Sequence, residues 1–276
     1  MNGKVYLVGA GPGDPELLTV KALRLLRSAE AVLYDELVSP EILRLISSTA
    51  KLHNVGKRSG QKKIQQEEIN FLMIGLAESG LQVVRLKSGD PLIFGRGGEE
   101  IEALRAAAIS YEIVPGVTSA LGAAATAAIP LTHRQTSSAV VLLTAHQAPG
   151  SEAANWKKLA GSGATLVIYM PGQDYSAISA KLSSAGVSSD VPCALLSQAT
   201  TPHQRIHRTT VGELSTAPHL PTPTLLVVGE VLRFADVPKI EEFAVPHSSV
   251  NLSPEGALFP RVADLATSRT DEESLA

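Results

Sequence analysis

The sequence predicts an α/β protein of two domains, a parallel-sheet domain over 1–133 and a mixed-sheet domain over 134–236, followed by a tail over 237–276. Three observations predict it. Through the first half, short β-branched runs alternate with amphipathic stretches, the pattern of a parallel sheet with crossover helices. Beyond about residue 134 the strand-like runs lie closer together with fewer helices between them, which suits a mixed sheet. Beyond Asp236 the periodicity fades into "SSVNLSPEGALFP" and an acidic end, a composition expected to be partly disordered.

Taken in order, "KVYLVG" reads as the first strand, and Thr19 caps a helix carrying Val20, Leu23 and Leu26 at helical spacing. "AVLYD", "KLHNV" and "QVVRLK" supply three more strands, separated by "PEILRLI" and by a helix that begins near Gln65 and stops at Gly80. The "EEIEALRAA" helix, the strand "YEIVPG" and a small-residue helix over 119–128 complete the first domain. Residues 134–137 are the expected hinge. "SAVVLLTAH", "ATLVIYM", "CALLSQ", "QRIHRTT" and "TLLVVGEV" then read as strands of the second sheet.

Composition excludes several classes. With 276 residues, 44% apolar and 18% charged, the chain can bury large cores. A net charge of −3 disfavours nucleic acid as a partner on bulk electrostatics, leaving room only for a local basic patch. The single Cys193 rules out an intrachain disulfide framework, and the N-terminus enters a strand without a signal-peptide layout, so a cytoplasmic setting is expected. The longest apolar runs fall well short of the roughly 20 residues of a membrane helix, so no membrane partner is expected. The histidines are scattered with no metal-ligand spacing, and no metal is expected.

Five stretches can carry chemistry. "VGAGPGD" is a glycine-rich turn after the first strand, where α/β sheets bind ligands. It fits a dinucleotide poorly: Asp14 stands where a third glycine belongs, and Pro12 removes an amide donor. "AVLYDELVS" puts Asp35 at the end of the second strand, as a base or as a helix cap. "VGKRSGQKK" gathers Lys57, Arg58, Lys62 and Lys63, either a solvated face or an anion-receiving rim. "LKSGDPLIFGRGGEE" exposes backbone at Ser88, Gly89 and Asp90 beside Ile93 and Phe94, which can wall an apolar ring such as adenine. In "VPGVTSALGAAA", Thr118 and Ser119 open a helix so small-faced that another body must lie close to it, through either tight helix packing or ligand contact.

In this order, together with "YDELVS", "QEEIN", "IPLTHR" and "VVGEV", these stretches resemble the S-adenosylmethionine-dependent tetrapyrrole methylases, and within them the C-methyltransferases that act on uroporphyrinogen III. The resemblance covers about residues 3–234. It implies the tetrapyrrole methylase fold, two α/β domains with a cleft between them, in a homodimer. The implied cofactor is S-adenosyl-L-methionine, the product S-adenosyl-L-homocysteine, and the reaction two methyl transfers turning uroporphyrinogen III into precorrin-2. Cofactor contacts carried over from the family fall on Pro12, Ser88, Gly89, Asp90, Ile93, Thr118, Ser119, Met170 and Ala199, and its base and acid on Asp35 and Lys57. The substrate's eight carboxylates give a purpose to Arg58, Lys62, Lys63, Arg96, His133 and Arg134. Some members carry a further dehydrogenase and chelatase module that is not seen here, so the methylated product alone is expected.

The sequence departs from the family at Ser88, usually Gly, at Leu92, usually Phe, at Lys62, often His, and at Pro171, an apparent insertion. Gln198-Ala199 replaces a common Asn-Gly, so a positive backbone angle there would cost more. The competing readings are a methylase of the same fold for a later corrin precursor or another acceptor, a nicotinamide oxidoreductase, and a non-catalytic ligand-binding protein.

Overall fold

The structure, a computed structural model, describes residues 3–56, 64–146, 155–235 and 240–242. Strands β1 (Lys4–Gly9), β2 (Ala31–Tyr34), β3 (Lys51–Asn54), β4 (Gln82–Lys87) and β5 (Ser110–Val114) form one sheet in the order β3-β2-β4-β1-β5, every pairing parallel. A parallel sheet needs cover on both faces, and the alternation along β1 supplies it. Val5 and Leu7 pack with Met73 and Ala77 of α3 (Gln66–Glu78) and Leu104 of α4 (Gly97–Ala106). Val8 faces Leu25 and Leu26 of α1 (Val20–Ser28) and Ile42 of α2 (Pro40–Leu43).

The helix ends follow from their residues. Thr19 Oγ1 accepts the Ala22 N–H at 3.1 Å, the expected cap of α1. The Gln65 N–H donates to Glu68 Oε2 at 2.9 Å and starts α3. Gly80, at φ 89°, ends it where expected, its N–H reaching the Ala77 carbonyl at 2.9 Å.

The second sheet holds β6 (Val140–Thr144), β7 (Thr165–Tyr169), β8 (Pro192–Ser197), β9 (Arg205–Thr210), β10 (Thr224–Val228) and β11 (Ile240–Glu242), in the order β11-β9-β8-β10-β7-β6. Only β6 and β7 run parallel, so this sheet is mixed, as its closer strand spacing predicts. β11 corrects the sequence reading: it lies in the stretch read as tail yet pairs antiparallel with β9. Three residues are too few to show a strand period, and pairing with an edge is what makes them a strand. The rest of 237–276 lies outside the described residues.

One face of this sheet, with Leu166, Ile168 and Leu195, packs on α6 (Trp156–Ala160) and α7 (Tyr175–Ser184). The other, with Val167, Tyr169 and Leu196, packs on α5 (Ser119–Thr126), the helix that follows β5 of the first sheet. Ala120 and Ala123 let α5 lie close. A Cβ at Gly122 would sit 2.6 Å from Pro12 Cγ and 3.0 Å from Thr200 Cγ2. The body that the small helix face requires is therefore the chain itself, Pro12 from one side and Thr200 from the other. The expected hinge is a closed turn, in which His133 and Ser137 exchange backbone hydrogen bonds of 2.8 and 2.9 Å. All these elements belong to one compact unit.

At the edge of the first sheet, Glu112 of β5 accepts from Lys21 of α1 and, at 2.7 Å, from Lys4 of β1. The Lys21 and Lys4 ammoniums hold its carboxyl down at about 2. Because the folded value lies below the ordinary 4.5, the stabilisation is complete above 4.5 and is lost as pH falls through about 2. The E112Q variant should therefore show a shallower loss of stability than the parent over that acid window in denaturant unfolding. Parallel curves would contradict the ion-pair assignment.

Candidate functional site

Strands of a parallel sheet end at one edge, and there the loops after β1, β2, β4 and β5 converge. Three glycine backbones touch at this point. A Cβ on Gly9 would lie 2.5 Å from the Gly116 nitrogen, and one on Gly116 would lie 2.3 Å from the Gly89 carbonyl oxygen. The Asp90 carboxylate ties the same loops: Oδ1 accepts the Leu92 N–H at 2.8 Å and Oδ2 the Gly116 N–H at 3.0 Å.

The second sheet meets this edge through Tyr169, the last residue of β7. Its hydroxyl lies 2.5 Å from Thr118 Oγ1 and accepts the Ala120 N–H at 3.1 Å, so it satisfies the start of α5. Burial pushes the Tyr169 phenol up from its ordinary value and keeps it a neutral hydroxyl. Its ring packs 4.9 Å from that of Phe94, on the loop after β4.

Between the two sheets lies a cavity of about 540 Å³, within the size range of small-molecule sites. All of the residues expected to contact the cofactor are on its wall: Pro12, Ser88, Gly89, Asp90, Ile93, Thr118 and Ser119 from the first sheet's loops and α5, Met170 and Ala199 from the second sheet's. The wall is largely apolar, and its charged members are Glu36, Glu41 and Asp90, with no Lys or Arg among the described residues. Apolar surface for a ring beside carboxylates and hydroxyls for polar and cationic groups fits a sulfonium cofactor. Phe94, Met170 and Gln198 on the wall have φ of 51°, 50° and 46°, the left-handed region that costs side-chain-bearing residues roughly 1–2 kcal/mol each. The positive angle feared at Gln198-Ala199 thus falls on Gln198 and, at 66°, on Thr200, and spares Ala199.

Asp35 follows β2, with neighbours Glu36, Leu37 and Val38 on the cavity wall. It is not the helix cap: Ser39 caps α2, and the Asp35 carboxylate, 31% exposed, pairs with Arg85 at 2.5 Å. Lys57, Arg58, Lys62 and Lys63 lie outside the described residues. Arg96, His133 and Arg134 are not on the cavity wall. Arg96, expected to receive a substrate carboxylate, grips Glu99 through two hydrogen bonds of 2.7 and 2.5 Å at the start of α4, where its own φ is 58°. The Glu99 carboxylate holds the Arg96 guanidinium above its ordinary value. His133 stacks on Phe234 at 3.9 Å and shares a hydrogen bond with Thr136. Arg134 is exposed.

Sequence reasoning missed a buried set of charges behind Asp35: Arg85 and Lys87 on β4 and Glu100 on α4. A signal was present, since a charged residue inside the apolar run "QVVRLK" must find a partner when buried. Also missed were Tyr169, at the end of β7, and the wall residues Thr201 and Pro223, which sit in connections without periodicity.

Residues 4–215 match the family described as Tetrapyrrole (Corrin/Porphyrin) Methylases. The chain belongs to the tetrapyrrole methylases. This methylase is 49% identical over 240 residues to the siroheme synthase of Ectopseudomonas mendocina (strain ymp), a match covering 85% of the chain and 51% of that relative. It spans about half the length of the curated relatives it matches. Among solved structures it is similar to the uroporphyrin-III C-methyl transferase of Thermus thermophilus complexed with S-adenyl homocysteine, at 38% identity and a TM-score of 0.74, covering 84% of this chain and 100% of that one. A cobalt precorrin-4 methyltransferase is similar at 33% identity and a TM-score of 0.75, covering 83% and 95%. The methylase is an S-adenosylmethionine-dependent methyltransferase with the α/β fold of that family, one parallel and one mixed sheet.

The glycine contact gives a direct test. Replacing Gly116 with Ala forces a methyl group onto the Gly89 carbonyl and should cost about 1–3 kcal/mol of unfolding free energy. It should also weaken S-adenosylhomocysteine binding at least tenfold by calorimetry, since the displaced loops form the cavity. Unaltered binding would show that the contact does not shape the site.

Proposed function

We propose that this methylase converts uroporphyrinogen III to precorrin-2 by two successive C-methylations. The observation that carries the reading is the convergence, on one cavity between the two sheets, of the loops after β1, β4, β5 and β7, with Asp35 at its margin. Similarity to the Thermus thermophilus uroporphyrin-III C-methyl transferase over the whole of that chain supports it.

S-adenosylmethionine, when bound, supplies an electrophilic methyl group on a positively charged sulfur. The chain's part is to orient, to exclude water and to manage a proton. Ser88, Asp90 and the start of α5 at Thr118 and Ser119 would offer polar groups to the cofactor, while Pro12, Gly89, Ile93, Met170 and Ala199 would pack on it. Asp35 accepts the proton that the tetrapyrrole releases as its ring carbon gains the methyl, and Lys57 balances that charge. Arg58, Lys62, Lys63, Arg96, His133 and Arg134 receive the substrate's carboxylates, Arg96 by exchanging Glu99 for a substrate group. Domains 1–133 and 134–236 close the cleft, and the working form is a homodimer.

Anaerobic incubation with uroporphyrinogen III and methyl-labelled S-adenosylmethionine should yield a product two methyl groups heavier by mass analysis. Asp35→Ala should abolish turnover and leave cofactor binding within a few-fold. Cofactor binding without transfer to this acceptor would favour the second reading, a later corrin precursor as substrate, which the similarity to the cobalt precorrin-4 methyltransferase supports. Affinity for the tetrapyrrole should fall with added salt, and a flat salt response would remove the basic rim.

A further inference from the structure

The pairing of Asp35 is the visible end of a chain of charges. Arg85 is 2% exposed, Lys87 3% and Glu100 0%, so Asp35 alone of the four reaches solvent appreciably. One guanidinium nitrogen of Arg85 donates to Asp35 Oδ1 at 2.5 Å, while its Nε donates to Glu100 Oε1 at 2.8 Å. A third nitrogen reaches the carbonyl oxygens of Leu86 and Leu33 at 3.3 and 3.5 Å. Glu100 Oε1 also accepts from Lys87 Nζ at 3.0 Å and from Gln66 Nε2 at 3.4 Å.

Burial opposes the Arg85 charge, but Asp35 and Glu100 outweigh it and hold the guanidinium above its ordinary value. Burial also pushes the Lys87 ammonium down, and Arg85 adds to that. Buried ion pairs are weak sources of stability, since apolar residues of similar volume often serve as well or better. A buried cluster of two acids and two bases that opens to solvent through a single carboxylate is better explained by what it does to that carboxylate. The planar fork of arginine suits it to hold two acids at fixed angles, which a lysine ammonium cannot.

We propose that Arg85 is a positioning residue that fixes Asp35 by holding Oδ1, leaving Oδ2 to take the substrate proton, with Glu100 holding Arg85 and Lys87 holding Glu100. This rests on the reading of Asp35 as proton acceptor. Among the described residues Oδ2 has no hydrogen-bond partner. Lys87 also reaches under the cavity loop: a Cβ on Gly95 would lie 3.3 Å from its Cε. One buried cluster therefore supports both Asp35 and the loop that lines the cavity.

Steady-state kinetics with uroporphyrinogen III on R85Q, R85K, E100Q and D35N, with calorimetric S-adenosylhomocysteine binding for each, tests the assignment. R85Q should lower kcat at least tenfold while KM for the tetrapyrrole and the binding constant stay within threefold, and R85K should recover several-fold of that loss. E100Q should lower kcat in the same selective way and serves if R85Q does not fold. An unchanged kcat in R85Q or, failing its folding, in E100Q overturns the proposal. So does a loss of ligand binding that matches the loss of kcat, the mark of a merely structural role. Full turnover by D35N would instead overturn the underlying reading of Asp35, whereas an inactive D35N beside a normal R85Q sinks this inference alone.

Discussion

The contact of three backbones at the end of the first sheet governs the rest of this molecule. Gly9, Gly89 and Gly116 lie so close that a methyl group on Gly9 or on Gly116 would overlap a neighbouring main-chain atom. Their strands, β1, β4 and β5, are adjacent and parallel, so the loops leave the sheet side by side and can be drawn together only where no side chain intervenes. Asp90 then closes the arrangement by accepting one N–H from its own loop and one from the next. The result is a wedged, buried junction of main chain beneath the loop that carries Ser88, Gly89 and Asp90 to the cavity wall.

The other side of the cavity depends on α5. Its small residues allow it to leave the first sheet and bed against the second, and Tyr169 holds its first turn by two hydrogen bonds. The helix is thus the joint through which the mixed sheet is set over the parallel one. Charge is divided in the same spirit. The cavity wall carries carboxylates and suits a cationic cofactor, while the basic side chains expected to meet an anionic acceptor lie away from it or outside the described residues.

What the sequence discloses follows from what leaves a local mark. Strands β1 to β10 repeat at readable spacing, and the glycine loops announce themselves because glycine has few other uses at strand ends. The loops that reach the cavity from β1 and β4 were legible for that reason, while Met170 and Ala199 came only through the resemblance. β11 was not, since its pairing with β9 is an edge effect with no pattern of its own. The pairing of Arg96 with Glu99 was legible in principle, three residues apart at a helix start, but a cation beside a glycine loop invites a ligand instead. The Arg85–Glu100 contact joins a strand to a helix 15 residues on, a proximity that only the crossover from β4 to α4 creates.

The cavity between the two sheets is the place proposed for the cofactor. A crystal structure of the chain with S-adenosylhomocysteine tests it most directly. The ligand should lie inside the cavity, its polar groups against Ser88, Asp90 and the start of α5, and its ring beside Ile93 and Phe94. S-adenosylhomocysteine bound at another surface, with the glycine wall uncontacted, would contradict it.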